Sequence, residues 1–235
     1  MPPIGELRIL VPVDISRKEL PEFDFLDFLQ PFEVILLGYF PVPEQADPAL
    51  IKHEYEAKAE SRLDEIAESR AETTEVLVFT HDREATIDRV AEQYDCDAVL
   101  TAGEMDQIGR ILVPLRGELN LERIISVVAE LLRCSHATAT IFHSISEDAD
   151  PDQVESLLQG TVDRVAEFGV QNERIDWKIA ENGGPDRDIV SLAEEYDIIV
   201  LGETEPSLRE RIIGDVLSRI IDEIAIPALI VRDVE

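Results

Sequence analysis

The sequence is short of cysteine, tryptophan, lysine and long apolar runs, and each shortage removes a class of protein. Two Cys and one Trp occur in 235 residues. Cys96 and Cys134 are too few and too far apart for a disulfide framework or a zinc pair. Each stands at a predicted helix end beside apolar residues, so both are expected as buried free thiols. No apolar run approaches the roughly 20 residues that cross a bilayer. The opening Met-Pro-Pro-Ile-Gly-Glu-Leu lacks the pattern of a signal peptide, so a cytoplasmic protein without direct membrane insertion is expected. Positive charge is scarcest of all. Lys and Arg number 21, only four of them Lys, against 51 Asp and Glu, for a net charge of −30. Such a surface repels nucleic-acid backbones and anionic membranes, and neither is expected as a partner.

The acids are interleaved with apolar residues at regular periods, as in Glu54, Glu56, Glu60, Asp64, Glu65 and Glu68. They read as solvated helix faces rather than a disordered tail. Molar salt screens the self-repulsion that strains such a surface in dilute buffer, so a salt-requiring, halophilic fold is expected.

Motifs for several chemistries are also missing. His53-Glu54 opens like a zinc-protease helix, but Ala57 stands where the second His belongs. His81-Asp82 has no second metal ligand in sight, and Asp82 is explained as a helix N-cap. His143-Ser144 lacks the Gly-x-Ser-x-Gly elbow of a nucleophile, so His143 is expected as a packed strand-end residue. No Gly-x-Gly-x-x-Gly follows a first strand and no Gly-Lys-Ser/Thr loop exists. Asn182-Gly183-Gly184-Pro185 reads as a turn. No catalytic residue and no metal ligand is assigned, and an enzyme is not expected.

What the chain does contain is a repeat. Arg8-Ile9-Leu10-Val11-Pro12-Val13 returns 102 residues later as Arg110-Ile111-Leu112-Val113-Pro114-Leu115. Val90-Ala91-Glu92-Gln93-Tyr94-Asp95 matches Leu192-Ala193-Glu194-Glu195-Tyr196-Asp197 at the same offset, and two anchors at one spacing indicate duplication. Within each copy, short β-branched runs alternate with longer amphipathic stretches, the pattern of βαβ units and a parallel sheet. Copy one, 7–104, has strands near 8–13, 33–39, 74–80 and 97–102 and helices near 17–29, 47–71 and 83–95. Copy two, 109–235, has strands near 110–115, 137–143, 173–180, 197–202 and 226–231 and helices near 119–133, 151–168, 185–196 and 212–223. The span Glu104–Gly109 leaves no room in copy one for a fourth helix and fifth strand. Its sheet is expected to be truncated, with an edge in need of cover.

Ile9 to Asp14, Ala137 to His143, Ile198 to Gly202 and Ile226 to Val231 resemble the opening, second, fourth and closing strands of the universal stress proteins, in their order and repetition. The chain as a whole resembles the tandem-domain, haloarchaeal type. The resemblance implies an α/β fold of two tandem doubly wound parallel-sheet domains, strand order 3-2-1-4-5. It also implies a nucleotide cleft where strands 1 and 4 diverge. ATP-binding members carry Gly, two residues, Gly, nine residues, then Gly with Ser or Thr. Their glycines admit backbone N–H groups to phosphate. The corresponding stretch here keeps Gly202 and Gly214 but places Glu205 at the second Gly and Asp215 at the hydroxyl position. A carboxylate at about 4 Å from a phosphate charge costs on the order of 4 kcal/mol at an effective dielectric near 20, or roughly three decades of affinity. Asp215 also reads as the N-cap of the last helix.

The Asp that resembles the family's adenine-side residue is Asp14 in copy one and Arg116 in copy two, so each half keeps a different part of the site. Pro114, Arg116, Gly202, Thr204, Ser207, Gly214 and Asp215, with Asp14 in the other copy, are the candidate ligand contacts for ATP or another adenine nucleotide. Arg116, Arg209 and Arg211 either converge with Thr204 and Ser207 on an anion or pair with Glu203 and Glu205. The expected function is a nonenzymatic regulatory or interaction module of the universal stress type. A nucleotide or anion sensor is the alternative, and a weak ATPase comes last. The expected partner is a protein or a small anion. Homodimer or tandem pseudo-dimer assembly is expected through the apolar strand Pro227–Val231.

Overall fold

The computed structural model describes residues 7–18, 28–67, 73–101, 108–115, 120–145, 150–180, 184–203, 220–221 and 223–233. The chain divides into two compact units, Met1–Ala102 and Gly103–Glu235. Nine strands and five α-helices are formed among the described residues, and the fold class is α/β with parallel sheets.

Unit one contains β1 (Arg8–Asp14), β2 (Glu33–Pro41), α1 (Pro48–Ala67), β3 (Thr73–Thr80), α2 (Arg83–Gln93) and β4 (Ala98–Leu100). Its strands lie in the order β3-β2-β1-β4, with β1 parallel to both β2 and β4. β2 is buried at six consecutive residues, Val34–Tyr39, as a strand covered on both faces must be. The two faces have different cover. Leu10, Ile35 and Leu37 pack with Val90 and Ala91 of α2. Gly38 points the opposite way, and a Cβ there would stand 2.9 Å from Leu63 Cδ1 of α1. Helices on both faces make the unit doubly wound. Both described helices begin on an aspartate: Asp47 Oδ1 accepts the Ala49 N–H at 2.9 Å, ahead of Pro48, and Asp82 Oδ1 accepts the Ala85 N–H at 3.0 Å. The helix expected near 17–29 falls largely outside the described residues.

Unit two contains β5 (Arg110–Pro114), α3 (Leu121–Arg133), β6 (Thr138–Ser144), α4 (Pro151–Glu167), β7 (Ile175–Ala180), α5 (Pro185–Ala193), β8 (Ile198–Gly202) and β9 (Ala228–Val231). The order β7-β6-β5-β8-β9 is the expected 3-2-1-4-5, with parallel neighbours. Leu112, Phe142, Ile199 and Leu201 pack with Ile189 and Ala193 of α5. α3 covers the other face through a stripe at Ile124, Val127, Val128 and Leu131, all buried. Of the helix expected near 212–223, only Ile220, Ile221 and Glu223 are described, and they are helical.

The units share a device that ties the fourth strand to the first. The Asp97 N–H donates to Arg8 O at 2.8 Å while Asp97 Oδ2 accepts the Arg8 N–H at 2.9 Å. In unit two the Asp197 N–H donates to Arg110 O at 3.0 Å, and Asp197 Oδ2 accepts the Arg110 N–H at 2.7 Å. Strand pairing agrees: Ile9 sits opposite Ala98, and Ile111 opposite Ile198. The first strands are therefore offset by 102 residues and the fourth strands by 100. This corrects the second sequence anchor. Tyr94-Asp95 is not the counterpart of Tyr196-Asp197; Cys96-Asp97 is. The two extra residues lie in the helix: α2, Arg83–Gln93, has 11 residues and its counterpart Pro185–Ala193 has nine, and Asp95 takes a left-handed φ of 48° in the turn that follows α2.

The cysteines differ as well. Cys96 is buried in the place of Tyr196, whereas Cys134 is exposed, contrary to expectation. The apolar stripe of α3 would carry residue 134 toward the sheet, but the helix ends at Arg133 and the chain turns away.

Candidate functional site

Both units open where the fold predicts. In unit two the β5–β8 ladder stops at Leu112 and Ile199, while β5 continues beside β6 to Pro114 and Phe142, and β8 continues beside β9 to Gly202 and Val231. β5 and β8 therefore part at their carboxyl ends, between Pro114 and Gly202, the position at which an open α/β sheet forms its ligand crevice. The β1–β4 ladder of unit one stops in the same way at Leu10 and Val99.

Pro114 is buried and stands opposite Phe142 in the β5–β6 pair. Gly202 has a packing reason to be glycine: a Cβ there would stand 2.8 Å from Ile124 Cδ1 of α3. Immediately after it, Glu203 folds toward β9. Its N–H donates to Val231 O at 2.8 Å, and its Oε2 accepts the Asp233 N–H at 3.0 Å. Burial pushes the Glu203 carboxyl above its ordinary range, and the Asp233 N–H and the Arg232 charge pull it partly back. A backbone N–H at the mouth of the sheet is thus occupied by one of the protein's own carboxylates.

Two side-chain contacts at this end were not foreseen from sequence. Asn120, in the left-handed region at φ 55°, does not cap α3 with its side chain; its Nδ2 donates to Val231 O at 3.0 Å. Ser144 Oγ donates to Asp188 Oδ2 at 2.5 Å, joining the end of β6 to the first turn of α5. An Asn just ahead of a helical apolar stripe was the legible signal for the first. The second pair lies 44 residues apart, with no local pattern. His143 bonds Leu115 O through Nδ1 at 2.7 Å, the packed strand-end arrangement expected of it. Beside these groups, a cleft of about 600 Å³ lies between the start of α3 and the middle of α4, lined by Asn120, Arg123, Ser156, Gly160 and Arg164 among others. Arg164 is ion-paired to Glu122 across it.

In unit one, Asp14 ends β1 opposite Tyr39. Its Oδ1 accepts the Ser16 N–H at 3.0 Å and the Ser16 hydroxyl at 2.6 Å, and its Oδ2 meets Arg17 Nε at 3.4 Å. The carboxylate is taken up by its own turn. Tyr39 is buried, which raises its hydroxyl pKa, and Arg83 pulls it down through its charge and a hydrogen bond. Arg62 of α1 donates to Ile15 O at 2.8 Å and Lys18 O at 3.2 Å, fixing the loop that follows β1.

Of the predicted ligand contacts, Pro114 and Gly202 border one crevice and Asp14 belongs to the other unit. Arg116, Thr204, Ser207, Gly214 and Asp215, like Glu205, Arg209 and Arg211, lie outside the described residues. Among the described residues no group of three or more His, Cys, Asp or Glu could hold a metal ion, and no helix is long and apolar enough to cross a membrane.

Parallel five-stranded order, helices on both faces and a crevice at the β5–β8 parting define an α/β fold of the universal stress protein and adenine nucleotide alpha hydrolase type. The model of the universal stress protein family matches residues 107–232, and the chain belongs to that family. Among solved structures, a universal stress protein from Archaeoglobus fulgidus DSM 4304 aligns at TM-score 0.67 and 15% identity, over 96% of this chain and 96% of its own. A putative universal stress protein from Pseudomonas aeruginosa UCBPP-PA14 aligns at TM-score 0.61 and 16% identity, over 98% and 94%. A functionally unknown protein from Pseudomonas aeruginosa PAO1 aligns at TM-score 0.63 and 16% identity, over 98% and 93%. At these identities the likeness is one of fold. No curated protein matches the chain in sequence.

Proposed function

We propose that the protein is a nonenzymatic regulatory module of a high-salt cytoplasm. In this reading 7–104 and 109–235 are diverged copies of one domain, the nucleotide site of the second is degenerate, and the output is contact with another protein. One observation carries the reading: Glu203, next to Gly202, holds a carboxylate on the Asp233 N–H at the mouth of the sheet. That bond holds a carboxylate one residue from Gly202, which borders the crevice, where its charge disfavours a ligand phosphate. Glu205 and Asp215 add two more carboxylates to the same loop by sequence, each costing phosphate affinity on the order of kcal/mol. Asp14, committed to Ser16 and Arg17, leaves unit one no free carboxylate at that position. The apolar strand Ala228–Val231 is the element on which homodimer or pseudo-dimer assembly would rest, and light scattering in molar KCl reads the mass.

A second reading is favoured by the crevice itself. Pro114 and Gly202 frame it, and Arg116, Thr204, Ser207, Gly214 and Asp215 follow or precede it in sequence as contacts for an adenine nucleotide or another anion. Thermal shift in molar KCl with ATP, ADP, AMP and cyclic nucleotides separates the two. A melting temperature that climbs with nucleotide concentration overturns the interaction-only reading, and a flat response supports it.

A further inference from the structure

The two sheets end differently. β7, at one end of the unit-two sheet, has six residues and carries Asp176 and Lys178, and Asp176 Oδ1 accepts the N–H of Trp177 at 2.8 Å. Charges on the edge, and a side chain bonded to the edge backbone, are devices that keep other strands away. β3, at the end of the unit-one sheet, has eight residues, Thr-Thr-Glu-Val-Leu-Val-Phe-Thr, with no proline, glycine or lysine and a single charge, Glu75. Among the described residues it pairs only with β2, through all eight positions from Val34–Thr73 to Pro41–Thr80. None of its residues is fully buried; Val76, Leu77, Val78 and Phe79 are each half-buried.

Side chains along this edge follow a period of two. Phe79 stacks on Phe40 at 5.1 Å, and Phe40 meets Tyr55 of α1 at 5.3 Å, so Phe79 and its alternates Leu77 and Glu75 face α1. Burial raises the Glu75 carboxyl pKa, and a hydrogen bond and negative charge from Asp64 of α1 raise it further. The α1 side of the edge therefore presents two crowded carboxyl groups at one end and an aromatic cluster at the other. A cation relieves the first, and apolar side chains extend the second.

We propose that the outer edge of β3 is a docking site for an extended segment of a partner protein, one with Lys or Arg at Glu75 and apolar side chains two and four residues away, over Leu77 and Phe79. The segment adds a strand to the unit-one sheet, its backbone bonds giving affinity and its alternate side chains specificity. This rests on the reading that the protein acts through a protein partner, and it supplies the chemistry of that partner.

The test is a titration of the full chain with dye-labelled Lys-Thr-Val-Thr-Phe, its reversed sequence, and counterparts with Glu for Lys, followed by fluorescence anisotropy at low and molar KCl. One Lys peptide should bind, its Glu counterpart at least about tenfold more weakly, with the gap narrowing in molar salt. Glu75→Lys, at an exposed position, should reverse the preference, and Glu75→Gln should erase it. Failure of both Lys peptides to bind overturns the proposal, as does binding that ignores Glu75→Lys. A concentration-dependent dimer whose β3 amides are protected from exchange also overturns it, because the occupant is then a second copy. The nucleotide thermal shift reads the parent proposal separately: a shift there with peptide binding here removes only the interaction-only reading, and no shift with no peptide binding removes only the edge site.

Discussion

The carboxylate of Asp197 accepts two backbone N–H groups, those of Gly109 at 2.8 Å and Arg110 at 2.7 Å, and so holds the start of β8 to the start of β5. Replacing it by Ala leaves both donors to solvent and removes two charge-assisted bonds. Asp197→Ala should lower the stability of the protein by roughly 1–2 kcal/mol. Urea unfolding in molar KCl measures it, and an unchanged midpoint would remove the lock from the account.

Glu203 gives a pH dependence with a defined sign. Its folded-state pKa is raised, chiefly by burial, so its ionised form is disfavoured in the folded protein. Its contribution to stability is present below the ordinary carboxylate range and is lost as pH rises through the folded value. Glu203→Gln should therefore stabilise the protein near neutrality, and the gain should shrink as pH falls toward 4.5, the ordinary value. Melting curves of both proteins across that window provide the comparison.

Two glycines should respond in opposite directions to alanine. At Gly202 the new methyl would meet Ile124 Cδ1 at 2.8 Å within a packed core, so Gly202→Ala should cost about 1 kcal/mol or more. At Gly160, inside α4, a Cβ meets nothing within 4 Å, so Gly160→Ala should add about 0.5–1 kcal/mol. Equal shifts in one direction would contradict the packing described for Ile124.

The thiols should separate by location. Cys134 is exposed and Cys96 buried. A thiol reagent added to the folded protein should modify one group, and the second should react only on unfolding. Peptide mapping identifies which is which.

The fold was readable because its signals are local. Apolar runs marked β1, β5, β6 and β8, and Asp82 marked a helix start that the structure places at Arg83. Sequence erred where two patterns coincided by chance. Tyr-Asp stands near the end of the third predicted helix of both copies, yet strand pairing makes Asp97, not Asp95, the counterpart of Asp197, because register depends on Arg8 and Arg110, about 90 residues away. The crevice was legible from strand order, since the parting of β5 from β8 follows from topology. The arrangement of its lining was not. The Glu203 bond to Asp233 and the Ser144 bond to Asp188 join segments 30 and 44 residues apart, and no spacing rule connects them.

Gly202 has a wider consequence. Because a Cβ there would stand 2.8 Å from Ile124 Cδ1, helix packing favours glycine at this position whether or not a ligand binds. A glycine at this point of the chain is therefore poor testimony about nucleotides, and the position following it, where Glu203 stands, is the better witness.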